Sequence, residues 1–318
     1  MTTTAFNSLS QEDQIAGLEL LCRAALRTYG IEPTGITSLV HMENTTFKVD
    51  SPEGSFNLRI SRPGYQSSAN VRSEIQWLSA LREANFRVPA PYQDRVVRAS
   101  VPEVPEPRDC VLFRWMDGEF LREWSPEQAR KVGRVIAQLH QFSSTWTLPE
   151  GFDRQQLHSW ASQPEDDHPI YQSSPLVSDE DRAVLIEANR RTREILTTLP
   201  RSADRFGLIH SDLHASNVLF EGDQVNVIDF DDSSFAFLYY DFAACLAYQS
   251  DDLREPLFQG YEEVLALPPD TRDLMDSFLM VRITGLGKWV LERTDNPSLR
   301  ESGGSFMTWI CKRLRDLS

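Results

Sequence analysis

Residues 206–220 read Phe-Gly-Leu-Ile-His-Ser-Asp-Leu-His-Ala-Ser-Asn-Val-Leu-Phe, and residues 225–232 read Val-Asn-Val-Ile-Asp-Phe-Asp-Asp. The apolar residues that end the first stretch and begin the second predict two short, buried strands. Between them lies Glu-Gly-Asp-Gln at 221–224, whose glycine can take the positive φ that a tight hairpin turn requires. These stretches therefore predict a β-hairpin with polar residues before its first strand and after its second.

The polar residues around this hairpin have side chains suited to phosphoryl transfer. Asp212 and Asn217 precede the first strand, and Asp229 follows the second. Because a hairpin returns the chain, we expect these side chains to lie at one end of the ribbon. Mg²⁺ takes one or two oxygen ligands from protein together with substrate phosphates, and Asn217 and Asp229 can supply them. Asp212 then remains to accept a proton from an attacking hydroxyl.

The spacing of these residues resembles a family signature. The pattern His-x-Asp-x-His-x-x-Asn at 210–217, followed by Ile-Asp-Phe at 228–230, resembles the catalytic motif of the aminoglycoside phosphotransferase and choline kinase superfamily. That superfamily consists of small-molecule kinases with a protein-kinase-like fold, so the resemblance implies ATP, Mg²⁺ and a small hydroxyl acceptor. The stretch Ser-Arg-Pro-Gly-Tyr at 61–65 resembles the bacterial homoserine-kinase-like and stress-response-kinase-like branch.

The resemblance also implies roles for individual residues of the motif. Asp212 would be the catalytic base, and Asn217 and Asp229 would be the Mg²⁺ ligands. His210 and His214 would hold the shape of the loop by hydrogen bonds.

Two further aspartates follow the hairpin. Asp231 stands where protein kinases have the glycine of Asp-Phe-Gly, and it could reach a second Mg²⁺, bind a cationic substrate or remain an exposed turn carboxylate. Asp241 lies in the apolar stretch 239–248, which predicts a buried helix, and a buried carboxylate needs partners. The family uses an aspartate here to fix the backbone of the catalytic loop, so the resemblance implies a supporting role for Asp241.

Composition restricts the classes of partner. The 318-residue chain has a formal net charge of −15, which disfavours nucleic acid because its phosphates would be repelled. We find no signal-peptide pattern and no apolar run of membrane-spanning length, so we expect a cytoplasmic protein with no membrane partner. Its cysteines are scattered without a metal-binding pattern, and we expect reduced thiols.

The N-terminal part of the chain predicts a small lobe dominated by strands. We predict a helix at 10–29, strands at 36–41, 46–50 and 56–61, and a helix at 68–83. The turn at 42–46 contains no glycine, yet in the family this turn covers the ATP phosphates. Its backbone N–H groups and the side chains of Asn44, Thr45 and Thr46 could donate to phosphate oxygens.

The third strand and the following helix contain one candidate ion pair. Arg59 stands where a kinase normally has the lysine that holds the α- and β-phosphates, and an arginine fork can also bind phosphate. Glu74 resembles the helix glutamate that pairs with this cation. The alternative is that Glu74 is only a surface charge.

The strand predicted at 110–116 resembles the one that leads into the hinge between kinase lobes. In the family, backbone groups of this hinge hydrogen-bond the adenine. We therefore expect the nucleotide to meet the segment that contains Phe113, Trp115 and Met116. An interior strand without a ligand contact would explain the same apolar residues.

The remainder of the chain is mainly helical by its periodicity. We predict helices at 125–142, 178–199, 239–248, 251–266, 270–293 and 299–316. The prolines and aromatic residues of 143–177 favour either a loop with anchoring aromatic side chains or a variable helical insert.

These elements predict an α+β, bilobal, protein-kinase-like fold. We expect a small N-lobe with an antiparallel sheet at 1–112 and a larger, mainly helical C-lobe at 113–318. The leading hypothesis for function is an ATP-dependent kinase that phosphorylates a small molecule. The alternatives are a Ser/Thr protein kinase of the stress-response type and a nucleotide-binding pseudokinase.

Overall fold

The computed structural model describes residues 2–158, 161, 170–171, 174–293 and 296–317. Its internal contacts divide the chain into two compact units. The first unit comprises Met1–Gly118, Leu148–Arg154 and Asn226–Asp231, and the second comprises Glu119–Thr147, Gln155–Val225 and Asp232–Ser318. The assignment of an N-lobe to 1–112 and a C-lobe to 113–318 stays a prediction.

The first unit is built on one five-stranded antiparallel sheet. Its strands are β1 (Gly35–His41), β2 (Thr45–Ser51), β3 (Gly54–Ile60), β4 (Val97–Ala99) and β5 (Arg108–Arg114), in the order β1-β2-β3-β5-β4. Its helices are α1 (Thr3–Asn7), α2 (Gln11–Tyr29) and α3 (Ser68–Glu83). The predicted strands and helices of this region are confirmed to within a few residues.

Capping residues fix the ends of the long helices in this unit. Ser10 caps α2 by accepting from the Asp13 N–H, and Ser67 caps α3 by accepting from the Asn70 N–H. α2 ends at Gly30, whose φ of 77° is a left-handed conformation that glycine adopts without strain. Apolar side chains of α2 and of the facing strands, such as Leu21, Phe47 and Phe56, are buried together in one core. Each contributes roughly 1.5–3 kcal/mol by leaving water.

The second unit is mainly helical. Its helices are α4 (Pro126–Thr145), α5 (Asp179–Thr198), α6 (Tyr239–Leu246), α7 (Arg254–Glu262), α8 (Thr271–Glu292) and α9 (Pro297–Asp316). The helix predicted at 251–266 is a 3-10 turn, Asp251–Leu253, followed by α7. Within the described residues, no helix is long and apolar enough to cross a membrane.

Helices α4 and α7 approach each other closely because each has a glycine at the crossing. A Cβ atom on Gly133 would lie 1.9 Å from the Leu257 carbonyl oxygen, and one on Gly260 would lie 1.9 Å from the Arg130 carbonyl oxygen. Any side chain there would force the backbones apart, so glycine permits this packing.

The predicted hairpin is present. β8 (Val218–Glu221) is followed by β9 (Gln224–Val227), and Gly222 in the turn has a φ of 58°. β6 (Glu119–Phe120) pairs antiparallel with β8, while β7 (Phe206–Ile209) pairs antiparallel with β10 (Ser234–Phe237). β7 leads directly into the polar loop at 210–217.

The structure describes the segment 143–177 only in part. α4 extends to Thr145, and the chain then follows an irregular path through residues 148–154 of the first unit. Trp160, Pro164 and Pro169, which we used to interpret this segment, lie outside the described residues. The choice between a loop and a helical insert therefore stays a prediction.

Candidate active site

The loop after β7 is held by a buried aspartate of α6. Oδ1 of Asp241 accepts from the Ser211 N–H at 2.7 Å, and Oδ2 accepts from the His210 N–H at 3.2 Å. Ser211 has a φ of 71°, a left-handed conformation for a non-glycine residue. Asp241 thus accepts from two successive backbone N–H groups of the loop, one of them at a strained residue.

His140 of α4 completes this support. Its Nε2 lies 3.1 Å from Oδ2 of Asp241, and its Nδ1 lies 3.1 Å from the hydroxyl of Tyr261. All of these side chains are buried. Because a buried carboxylate needs donors, His140 and the two backbone N–H groups satisfy Asp241.

Asp212 is held from both sides of its carboxylate. Nη2 of Arg282 donates to Oδ1 at 2.6 Å, and Nδ2 of Asn217 donates to Oδ2 at 3.1 Å and to the Asp212 backbone carbonyl at 2.8 Å. Burial acts to raise the pKa of Asp212, but Arg282 and His214 outweigh it, so the pKa lies well below its usual range. Asp212 is therefore an ionised carboxylate that keeps 20% of its side chain exposed.

The histidines of the motif accept hydrogen bonds from the backbone of the loop. Nδ1 of His214 accepts from the Ser216 N–H at 3.2 Å, so its proton lies on Nε2, which is 3.3 Å from Oδ2 of Asp212. Nδ1 of His210 accepts from the Asp212 N–H at 3.2 Å. Both rings therefore accept from backbone two residues further along the loop.

Asn217 has an orientation that suits a hard cation. It ends a short 3-10 turn, Ala215–Asn217, and its Nδ2 is committed to Asp212. The amide oxygen is thus the atom that a cation would meet, and amide oxygens are ligands that Mg²⁺ accepts. Among the residues that the structure describes, no group of three or more His, Cys, Asp or Glu side chains is arranged to hold a metal.

In the first unit, Arg59 and Glu74 form a buried ion pair. Nη1 of Arg59 donates to Oε1 of Glu74 at 2.8 Å, Nη2 donates to Oε2, and the side chains are only 5% and 1% exposed. Burial acts to lower the pKa of Arg59, but Glu74 reverses the effect and the pKa is raised. The alternative that Glu74 is a surface charge is wrong, because the helix faces the sheet at this position.

Asp229 lies near this pair in the same unit. Its Oδ1 is 3.8 Å from Nη1 of Arg59, and 48% of its side chain is exposed. Asp229 has a φ of 65°, the left-handed conformation that aspartate tolerates better than most residues. The carboxylate is thus solvent-accessible beside a fixed guanidinium.

Asp231 is buried, so the expectation of an exposed turn carboxylate is wrong. Its side chain accepts from Nδ2 of Asn44, and its backbone carbonyl accepts from Nε2 of Gln66 at 3.0 Å and from Arg154. These contacts join the turn after β1 to the segment that follows Asp229.

The side chains of the β1–β2 turn bond to protein groups. Oδ1 of Asn44 accepts from the Arg62 N–H at 3.2 Å while its Nδ2 is held by Asp231. Oγ1 of Thr45 lies 2.8 Å from Nδ1 of His41, and Thr45 is buried. In this conformation Asn44 and Thr45 would contact a phosphate through their backbone N–H groups, because their side chains are bonded to protein groups.

The predicted hinge segment begins inside the sheet and then leaves it. Phe113 is buried in β5 with the guanidinium of Arg59 5.3 Å from its ring centroid. Trp115 and Met116 lie beyond the end of the strand and are half-buried. The Trp115 N–H already donates to the Ser55 carbonyl at 3.0 Å, so an adenine would need other backbone groups of this segment.

The structure places the predicted residues in two groups, each within one unit. The first unit contains Arg59, Glu74, Asn44, Thr45, Phe113, Trp115, Met116, Asp229 and Asp231, and the second contains His210, Asp212, His214, Asn217 and Asp241. Sequence reasoning missed Arg282, which contacts Asp212. A cation in the otherwise apolar stretch Phe-Leu-Met-Val-Arg-Ile-Thr at 278–284 was the available signal.

Known proteins provide an independent comparison. Residues 37–274 match the sequence model of a family described as the phosphotransferase enzyme family. The chain is 27% identical over 265 residues to a homoserine kinase of Gluconobacter oxydans (strain 621H), covering 76% of this chain and 79% of that protein.

Two solved structures have the same fold. An aminopropanol kinase associated with a microcompartment has a TM-score of 0.78 and 28% identity, covering 92% of this chain and 95% of its own. An amicoumacin kinase, hAmiN, in complex with AMP-PNP, Ca²⁺ and Ami, has a TM-score of 0.73 and 17% identity, covering 97% of this chain and 100% of its own. The predicted mixed fold of kinase type, with an antiparallel sheet and a helical region, is confirmed.

Proposed function

The chain belongs to the phosphotransferase enzyme family, and from that premise we propose that it transfers the γ-phosphoryl group of ATP to a hydroxyl of a small molecule. Asp212 carries the proposal. A carboxylate that is ionised, partly exposed and fixed by Asn217 and Arg282 has the geometry of a base for an incoming hydroxyl.

In the proposed step the acceptor oxygen attacks the γ-phosphorus, and the bond to the oxygen that bridges the β- and γ-phosphorus atoms breaks. The acceptor proton passes to Asp212, and ADP leaves with the bridging oxygen. Because such a transition state is largely dissociative, positioning and electrostatics supply most of the catalysis.

Asn217 and Asp229 would hold Mg²⁺ through their side-chain oxygens. When bound, Mg²⁺ would supply positive charge that offsets the negative charge developing in phosphoryl transfer. Arg59, held by Glu74 through both Nη atoms, would present its remaining N–H groups to the α- and β-phosphates.

The nucleotide would lie against the sheet of the first unit. We propose the segment of Phe113, Trp115 and Met116 for adenine. The backbone of the turn at Asn44 and Thr45 would cover the phosphates, since both side chains are engaged elsewhere.

For the acceptor we propose a small amino alcohol. The aminopropanol kinase and the homoserine kinase that this chain resembles are both named for such compounds, at 28% and 27% identity. The net charge of −15 is compatible with an acceptor that carries an ammonium group.

The test is Mg²⁺-dependent release of ADP from ATP with a panel of acceptors. The panel contains 1-amino-2-propanol, L-homoserine, choline and a generic protein substrate, each assayed with wild type, Asp212→Ala and Asp270→Ala. Asp270 is a matched control because it also pairs with an arginine, Arg205, in the second unit. We expect activity with a small amino alcohol that Asp212→Ala abolishes and Asp270→Ala retains. Phosphorylation of protein alone, or binding of ATP without turnover on any acceptor, would contradict the proposal.

A further inference from the structure

Arg282 is a buried cation in an apolar part of α8. It is 8% exposed, and its neighbours Val281 and Ile283 are fully buried. Burying a guanidinium is costly unless it is paired, so its partners indicate what it does.

The guanidinium divides its donors between two partners. Nη2 donates to Oδ1 of Asp212 at 2.6 Å, and Nη1 donates to the hydroxyl of Tyr240 at 3.4 Å. Its Nε is buried and has no hydrogen-bond partner among the described residues. Arg282 therefore makes a single-point contact with Asp212 rather than a closed, two-point ion pair.

The other oxygen of Asp212 is held from elsewhere. Asn217 donates to Oδ2 at 3.1 Å, and Nε2 of His214 lies 3.3 Å from it. With one donor on Oδ1 and others on Oδ2, rotation of the carboxylate about its χ2 torsion is restrained in both directions. Each oxygen still keeps lone-pair capacity for a further donor such as an acceptor hydroxyl.

We infer that Arg282 is a positioning residue for phosphoryl transfer, which fixes the orientation of the Asp212 carboxylate and offsets its negative charge. The inference rests on the proposed function, because it takes Asp212 as the base. The carboxylate of the base and the phosphoryl group are both negatively charged and repel when they approach. A guanidinium bonded to the base reduces that repulsion without touching the reacting atoms.

Tyr240 explains why arginine suits this position. The arginine fork is planar, so a bond from Nη1 to Tyr240 also fixes the direction of Nη2 toward Asp212. The Tyr240 ring centroid lies 5.8 Å from the guanidinium carbon, which adds a weak cation–π contact. A lysine has a single ammonium group and can supply the charge without this orientation.

The experiment measures steady-state kinetics of Arg282→Met, Arg282→Lys and Tyr240→Phe with the amino alcohol that wild type phosphorylates. For Arg282→Met we expect kcat to fall about 100-fold, the effect of a misplaced reacting group, with the acceptor KM and the Kd for ATP within about threefold of wild type. Arg282→Lys should recover part of kcat, and Tyr240→Phe should lower kcat several-fold in the same direction.

Arg205→Met is the matched control. Nη1 of Arg205 donates to the hydroxyl of Tyr239 at 2.7 Å and Nη2 to Asp270 at 2.8 Å, so the same Arg–Asp–Tyr arrangement occurs away from the catalytic loop. We expect Arg205→Met to change thermal stability and to leave kcat unchanged. If Arg282→Met does not fold, Arg282→Lys and Tyr240→Phe test the positioning role instead. A fall in kcat with an unchanged acceptor KM in these two variants supports that role.

The outcomes separate the two proposals. Turnover by wild type together with an unchanged kcat in the Arg282 variants overturns the role of Arg282 alone. A large rise in acceptor KM at constant kcat also overturns it, because Arg282 would then bind the acceptor directly. Absence of phosphoryl transfer by wild type to every acceptor overturns the proposed function itself, and the role of Arg282 with it.

Discussion

Two buried arginine–carboxylate pairs of this protein, Arg59 with Glu74 and Arg282 with Asp212, differ in how completely they are closed. In the first pair each Nη atom donates to a different carboxylate oxygen, and the carboxylate is 1% exposed. In the second pair one Nη atom meets one oxygen, and the carboxylate is 20% exposed. A buried carboxylate that meets both Nη atoms is closed to a third group, whereas a partly exposed carboxylate with one arginine contact remains accessible to one. The difference fits a positioning role for Glu74 and proton acceptance by Asp212.

Among variants of the two pairs, Asp212→Asn is expected to have the largest effect. The amide keeps the shape of the side chain but cannot accept a proton at neutral pH. We expect kcat to fall about 1,000-fold while ATP affinity stays close to that of wild type. Steady-state kinetics and calorimetric titration of ATP measure the two quantities.

Asp270→Asn is the control for that variant, because Asp270 is also paired with an arginine but lies outside the catalytic loop. A kcat for Asp212→Asn within about tenfold of wild type would show that Asp212 is not the base.

Glu74→Gln tests the closed pair. It removes the buried charge that meets both Nη atoms of Arg59 and leaves the more distant Asp229 carboxylate at 3.8 Å, so we expect the free energy of unfolding to fall by about 3 kcal/mol. ATP binding should weaken as well, because the guanidinium is no longer oriented. Urea denaturation and ATP titration are the measurements.

Glu187→Gln is the matched control, since Glu187 pairs with Arg190 on an exposed helix face. Its free energy of unfolding should change by less than about 0.5 kcal/mol. A similar small change in Glu74→Gln would mean that the closed pair is energetically no different from a surface one.

The pH dependence of stability tests the lowered pKa of Asp212 in the open pair that it forms with Arg282. The folded-state pKa of Asp212 lies below the unfolded value of about 3.9, so its ionisation stabilises the fold at pH values above that. The contribution declines as pH falls toward the folded-state pKa. The difference in unfolding free energy between wild type and Asp212→Asn should therefore be constant from about pH 5 to about pH 8 and shrink below about pH 4. A difference that already declines between about pH 7 and about pH 5 would contradict the lowered pKa.

Asn44→Ala is expected to give the smallest effect. It removes the bond from Asn44 to Asp231, next to the closed pair, and should lower the free energy of unfolding by about 1 kcal/mol. ATP affinity should change little if the turn contacts phosphate through its backbone. A loss of ATP affinity of more than about tenfold would instead favour the original expectation that the Asn44 side chain donates to phosphate. Ser38→Ala, at an exposed position of β1, the strand before that turn, is the control.

Local sequence patterns predicted the elements that carry the site. Helical periodicity located α2 and α3, and Gly222 located the hairpin turn, because these features depend on neighbours within a few residues. Of the alternatives for Asp231, the exposed turn carboxylate is wrong, and the sequence did not show this because the partner, Asn44, is 187 residues away. The contact between the Thr45 hydroxyl and His41 spans only four residues in sequence, but it depends on the conformation of the turn rather than on a residue pattern.

The sequence by itself determined which residues of this protein have chemistry to offer. Asp212, Asn217 and Asp229 follow from a spacing pattern around one hairpin, and residue type fixes what each can donate, accept or ligate. Only the tertiary structure decided how Asp212 is held, because Arg282 reaches it from a position 70 residues further along the chain. Packing of α8 places that guanidinium, and no local periodicity encodes a contact between side chains so far apart in sequence.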